Sequence, residues 1–147
     1  MTLTRDEAQA RAAIVHPTAY RIDLDLDAGP RTFGSTTTLT FDAQAGASTF
    51  VDLDPDELLS ASLNGRDLGV TTALDGRRLR LDDVAERNEL VVTARMTYGR
   101  DGQGLHRATD PADSNDYVYG HLFMDAASRV YACFDQPDLK APYDLTV

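Results

Sequence analysis

Thr32-Phe33-Gly34-Ser35-Thr36-Thr37-Thr38-Leu39-Thr40-Phe41 alternates with a period of two. Phe33, Ser35, Thr37, Leu39 and Phe41 fall on one side, and Thr32, Gly34, Thr36, Thr38 and Thr40 on the other. Successive side chains of an extended strand point to opposite faces, so the pattern predicts a strand with distinct sides. Threonine and phenylalanine also fit a pleated surface well. The run before it has the same period: Tyr20, Ile22, Leu24 and Leu26 alternate with Arg21, Asp23, Asp25 and Asp27, which predicts one wet face. Gly29-Pro30 separates the two runs as a turn.

Outward from these strands the pattern continues. Phe50–Leu53 and Leu58–Leu63 read as short strands. Asn64-Gly65 and Asp75-Gly76 each offer the left-handed backbone that a tight hairpin needs. Leu79 and Leu81, then Leu90, Val92 and Ala94, carry the alternation to Tyr98. Gly99–Asp116 interrupts it with three glycines, a proline and four aspartates, an irregular segment of the kind that often carries function. Tyr117–Phe123 is strand-like again, and Tyr143, Leu145 and Val147 alternate with Asp144 and Thr146. That last strand has no stop signal after it, so the domain is expected to be truncated there. Upstream, Thr4 and Glu7 have the spacing of a capping box, and the alanines that follow favour a short helix over about the first 13 residues. Its apolar stripe is thin, so the helix should lie on something larger, and Pro17 should end it at His16-Pro17. The expected fold is mainly β, an antiparallel saddle-like β-sandwich with a short N-terminal helix, divided into a helical arm (1–15) and a β domain (16–147).

The chain of 147 residues is long enough for one core, with 42% hydrophobic and 26% charged residues. Fourteen Lys and Arg against 24 Asp and Glu give a net charge of −10. Such a surface repels phosphate backbones and anionic lipid, so neither nucleic acid nor membrane is an expected partner. The opening residues, Met1–Glu7, lack the apolar core of a secretory signal, no apolar run is long enough for a membrane helix, and there is a single cysteine, Cys133. A reducing, cytoplasmic location fits these features.

No complete catalytic site emerges from the residues. His16, His106 and His121 form no i, i+4 pair and no HEXXH, so no metal site is expected on this chain. The acidic alternations at Asp23, Asp25, Asp27 and at Asp52, Asp54, Asp56 fail the calcium-loop template and read as solvated faces. Gly99, Gly102 and Gly104 lack the Gly-Lys-Ser/Thr of a phosphate loop. Cys133 lies between Tyr131 and Phe134, where a cysteine behaves as a small hydrophobe, not a nucleophile. His121, beside Gly120 and Leu122, reads as structural on residue type alone.

The phrase Tyr131-Ala132-Cys133-Phe134-Asp135-Gln136-Pro137-Asp138-Leu139-Lys140-Ala141 resembles the aromatic-Pro-Cys-aromatic-Asp-Glu-Pro-x-x-Lys-Ala signature of the aminopeptidase N family of zinc metallopeptidases, the gluzincins. Gly104-Leu105-His106-Arg107 is similar to that family's Gly-Leu-Tyr-Arg loop, and Tyr117-Val118-Tyr119 to its approach to the substrate pocket. Pro17, Tyr20–Leu24 and Val51–Leu53 match the family's first strands in the right order. The opening helix and the Gly-Leu-His-Arg form look most like actinobacterial members.

The resemblance implies an amino-terminal, non-catalytic domain of an enzyme that removes N-terminal amino acids from peptides. Zinc would be bound outside this chain, by a catalytic domain of the same polypeptide. No catalytic or metal-binding residue is implied here. In the family this domain lends a glutamine to the first-residue pocket, and counting back from Cys133 puts His121 at that position. Two residues on, where many members have a glutamate, stands Phe123. His121 and Phe123 are therefore the implied substrate-binding residues, lining a more apolar pocket whose binding falls below pH ~6.5, where an ordinary histidine protonates. Peptide substrates and the catalytic domain are the implied partners. The competing expectations are an independent β-sandwich module that binds carbohydrate or protein, and an enzyme using Cys133.

Overall fold

The capping box at Thr4 and Glu7 is formed. In the computed structural model, which describes residues 3–147, the Glu7 amide donates to Thr4 Oγ1 at 3.3 Å and the Thr4 amide to Glu7 Oε2 at 2.9 Å. This closes the first turn of α1, Arg5–Ile14. The helix does not reach His16-Pro17. Val15 is already extended and begins β1, Val15–Asp25. Pro17 lies inside that strand, where the pairing register shifts between Pro17 and Ala19. A proline has no N–H for the ladder, and an irregularity at a strand end accommodates it.

The remaining strands are β2 (Thr32–Ala43), β3 (Thr49–Asp52), β4 (Glu57–Leu63), β5 (Arg66–Asp67), β6 (Leu74–Asp75), β7 (Arg78–Leu81), β8 (Arg87–Thr97), β9 (Gly104–Thr109), β10 (Asp116–His121) and β11 (Tyr143–Thr146). They form a six-stranded sheet in the order β11-β1-β2-β8-β4-β5, a three-stranded sheet β3-β7-β6 and a two-stranded sheet β10-β9. Every pairing is antiparallel except β11 with β1, which run parallel from Tyr20↔Tyr143 to Asp23↔Thr146.

The alternation of β2 is realised residue by residue: Phe33, Ser35, Thr37, Leu39 and Phe41 are buried, and the threonine face is half-buried. The two larger sheets share one core. Phe33, Leu39, Phe41, Leu90, Val92 and Met96 from one, and Val51, Leu79 and Leu81 from the other, are each at most 1% exposed. Side chains of this size contribute roughly 1.5–3 kcal/mol each when fully buried.

Asn64 (φ 53°) and Gly65 (φ 78°) make the expected tight turn between β4 and β5. The second hairpin is displaced by one residue. Asp75 pairs with Arg78, so the loop is Gly76-Arg77, and only Gly76 is left-handed (φ 60°).

The irregular segment read over 99–116 is corrected by β9, which pairs with β10 along its whole length. The glycines shape the approach to β9. Gly99 donates to Leu105 O at 2.7 Å, and a Cβ on Gly99 would sit 2.4 Å from Gln103 O, so only glycine fits that reversal.

Polar contacts hold α1 to the body. Arg11, 2% exposed, donates from Nη1 to Asp52 Oδ2 at 2.8 Å and from Nε to Gln136 Oε1 at 3.0 Å. Its guanidinium lies 4.7 Å from the Phe50 ring centre and 5.7 Å from that of Phe134. Gln136 Nε2 donates to Ala8 O at 3.0 Å, and Arg78 to Glu7 at 2.7 Å. The helix does lie on something larger, as its thin apolar stripe implies, but a buried arginine is its anchor. Among the described residues no helix is long and apolar enough to cross a membrane.

Candidate functional site

The β9–β10 ribbon carries His121 as the last residue of β10, and Phe123 follows in the turn just beyond it. Its register pairs Tyr117 with Ala108, Tyr119 with His106 and His121 with Gly104. All six residues of β10 are exposed, and β9 is its one strand neighbour among the described residues. Tyr117, Val118, Tyr119, Phe123 and Met124 together expose large apolar side chains on a chain whose other aromatics are mostly interior. Leu122 packs against the core, which leaves His121 and Phe123 on the open side, Phe123 at 73% exposure. They lie on surface and not within an enclosed cavity.

Specific bonds fix the ribbon. The Gly102 amide donates to His106 Nδ1 at 3.3 Å, which leaves the ring proton on Nε2. The His106 ring stacks on Tyr119 at 4.8 Å. Arg107 reaches Asp116 at 2.7 Å and Gly29 O at 3.2 Å, with its guanidinium 5.3 Å from the Tyr98 ring centre. Asp116 also accepts from the Thr109 hydroxyl. These two donors, Thr109 first and then Arg107, hold the Asp116 carboxyl below the usual range. At the other end, the Tyr117 hydroxyl donates to Asp113 at 2.7 Å and lowers the Asp113 pKa. Arg129 ties the loop to the body through Asp101 at 2.8 Å.

The 131–141 phrase, the most distinctive part of the sequence, serves the interior. Cys133 exchanges two backbone hydrogen bonds with Asp52, at 2.7 and 3.1 Å. The Phe134 amide donates to the Tyr20 hydroxyl at 3.2 Å, and the Ala132 amide to Thr37 at 3.3 Å. Burial pushes the Cys133 thiol well above its usual pKa, with Asp135 and Asp52 adding to the rise, so the thiolate needed for nucleophilic attack is suppressed. Burial likewise raises the pKa values of Tyr20, Tyr131 and Asp135. Asp135 accepts from the Ser128 amide at 3.3 Å, and its own amide donates to Asp52 at 3.1 Å. The phrase thus joins the two larger sheets and α1 and presents no reactive group.

Among the described residues no three His, Cys, Asp or Glu side chains gather as a metal ion would require. The described side chains therefore do not fit a zinc ion, which needs three or four converging ligands.

Sequence reasoning missed Arg11, because a lone arginine in a short polar helix carries no signal of burial. It also missed β9, whose residues stand among glycines and aspartates.

No family model matches the chain. In sequence it is 40% identical, along 99% of its length, to aminopeptidase N of Streptomyces lividans, of which it spans 17%. Two solved structures have the same fold. An M1 zinc metallopeptidase of Deinococcus radiodurans matches 90% of this chain with a TM-score of 0.69, over 32% of its own length and at 16% identity. Aminopeptidase A of Legionella pneumophila, solved with aspartic acid, matches 89% with a TM-score of 0.72, over 15% of its own length and at 16% identity. At that identity the structures speak for the fold, and the Streptomyces relative for the sequence. Along 99% of its length the chain is thus similar in sequence to one segment of aminopeptidase N, and it shares its fold with parts of the two peptidase structures.

Proposed function

We propose that the chain acts as the non-catalytic, amino-terminal domain of a zinc aminopeptidase, with the arm at 1–15 clamped on the β domain at 16–147. Its role is to scaffold the enzyme and to supply one wall of the pocket for a peptide's first residue. The observation that carries this reading is the exposed strand β10, which ends at His121 with the open Phe123 just beyond it, on a chain similar along 99% of its own length to a segment of aminopeptidase N. Surface of this kind is apolar with a few polar groups, as a ligand-facing wall should be. Phe123 offers aromatic area to the substrate's first side chain. A histidine at position 121 offers a donor and an acceptor only in its neutral form, where a glutamine would offer both at every pH.

The reaction itself, hydrolytic removal of the first residue from peptides, belongs to a catalytic domain of the same polypeptide, which would also hold the zinc. A cytoplasmic setting accompanies the reading, and the single, buried Cys133 is compatible with it.

The test is kinetic, on the polypeptide containing both domains, with aminoacyl chromogenic amides as substrates. Phe123→Glu should lower kcat/KM for amides of large apolar residues by roughly 10-fold or more, the scale of one lost apolar pocket contact, and less for alanine amide. His121→Gln should change the ranking of first residues and leave zinc content intact. Unaltered substrate ranking in both variants would dismiss the pocket-wall role.

A further inference from the structure

The β9–β10 ribbon also borders a concave feature. A cleft of about 520 Å³ is lined by Pro30, Arg31, Arg100, His106, Arg107 and Asp116, with Ala108 and Thr109 completing its wall. A neighbouring hollow of about 220 Å³ shares Pro30, Arg31, Arg100 and Arg107. Three arginines thus converge on one depression of a chain whose net charge is −10.

The charges there are not already cancelled. Asp116 is the one carboxylate in the lining of the larger cleft, and both of its oxygens are engaged, by Thr109 and by Arg107. Arg107 is spent on Asp116, the Gly29 carbonyl and the Tyr98 ring, and serves as a fixed wall. Arg31 and Arg100 enter no ion pair among the described residues, although eight other arginines do. His106 adds a ring N–H at Nε2, because the Gly102 amide already occupies Nδ1.

From this geometry we infer an oxyanion-binding site in which the forks of Arg31 and Arg100 clasp a carboxylate or phosphate group against the wall made by His106 and Arg107. Guanidinium matches such groups with two parallel hydrogen bonds, which a lysine could not supply. The cleft is far roomier than a bare ion needs, and its volume falls in the range of organic-ligand pockets. The oxyanion therefore belongs to a larger molecule, and the carboxyl end of a peptide has the right chemistry and size. Asp116 is five residues from His121 along β10, roughly 17 Å at strand spacing, while His106 pairs with Tyr119, only two residues from His121, so the cleft extends along the ribbon towards His121. The inference does not depend on the pocket-wall reading.

The test uses this chain and isothermal titration at constant ionic strength with three probes: inorganic phosphate, an N-acetylated pentapeptide with a free carboxyl end, and the same peptide amidated. The free-acid peptide should bind, and amidation should weaken it at least about tenfold, the worth of one charge-assisted pair. The double variant Arg31→Gln/Arg100→Gln should weaken it at least as much. Both side chains are exposed, so folding is unaffected. The control Arg5→Gln/Arg87→Gln removes the same net charge elsewhere and should leave binding unchanged. Binding of phosphate but not of peptide, abolished by the Arg31/Arg100 double variant, would support the site and assign it to a free anion. No binding by any probe at 10 mM (about the weakest affinity worth naming), or equal losses in the control, would overturn it.

Discussion

Arg11 is the point at which the helix can be detached from the sheets. Arg11→Leu substitutes a shorter, wholly apolar side chain and removes the guanidinium. Asp52 Oδ2 loses its 2.8 Å partner and Gln136 Oε1 its 3.0 Å partner, while Phe50 and Phe134 lose the cation beside their rings. Breaking a buried ion pair from one side costs about 3–5 kcal/mol, because the other charge stays behind without compensation. Asp52 retains 19% exposure and the Asp135 amide, which puts the expected cost at the lower end, about 3 kcal/mol. For a domain of this size that is a fall in Tm of about 6–12 °C. Amide exchange in α1 should accelerate more than exchange in β2, since the loss is of docking and not of the core. Calorimetry and hydrogen exchange on the parent, Arg11→Leu, Asp52→Leu and the double variant form a complete cycle. The double variant should be more stable than either single one, since a pair replaced by apolar groups no longer buries an orphan charge. Additive losses, or a cost for Arg11→Leu under 1 kcal/mol, would refute the anchoring role.

Two further outcomes follow from local geometry. Glu7 is held at a pKa of about 2, first by the Arg78 hydrogen bond and then by Thr4, well below its ordinary 4.5. Its folded pKa lies under its unfolded one, so its stabilisation is complete above pH ~5 and fades as the pH falls from there towards 2. The difference in helix protection between the parent and Glu7→Gln should follow that window, and a difference constant from pH 7 to 2 would contradict the pairing with Arg78. Gly99→Ala puts a methyl group 2.4 Å from Gln103 O and strains the 2.7 Å bond to Leu105. It should cost about 2 kcal/mol and shift the ring resonances of His106 and Tyr119, and a loss under 0.5 kcal/mol would show that the loop yields freely.

The strands with one face to the core were legible because their burial is dictated by period alone. Phe33 to Phe41 sit where alternation puts them, and Asn64-Gly65 turns where its chemistry demands. Pairing partners were less accessible. The parallel addition of β11 to β1 joins residues more than a hundred positions apart, and no local pattern encodes that choice. Arg11 was hidden because burial of a cation depends on Asp52 and Gln136, which only the fold brings near. His121 and Phe123 came from the resemblance and not from periodicity. The structure puts both on an open face.

The bond from Gln136 to Ala8 spans 128 residues, which has a consequence for synthesis. At about 5–20 residues per second, the helix leaves the ribosome roughly 6–26 s before the glutamine that fastens it. During that interval Arg11 is a solvated cation on a ten-residue segment too short to hold helical form unaided. The helix is thus made well before it is secured, and a nascent chain halted before Gln136 should leave it open to proteases.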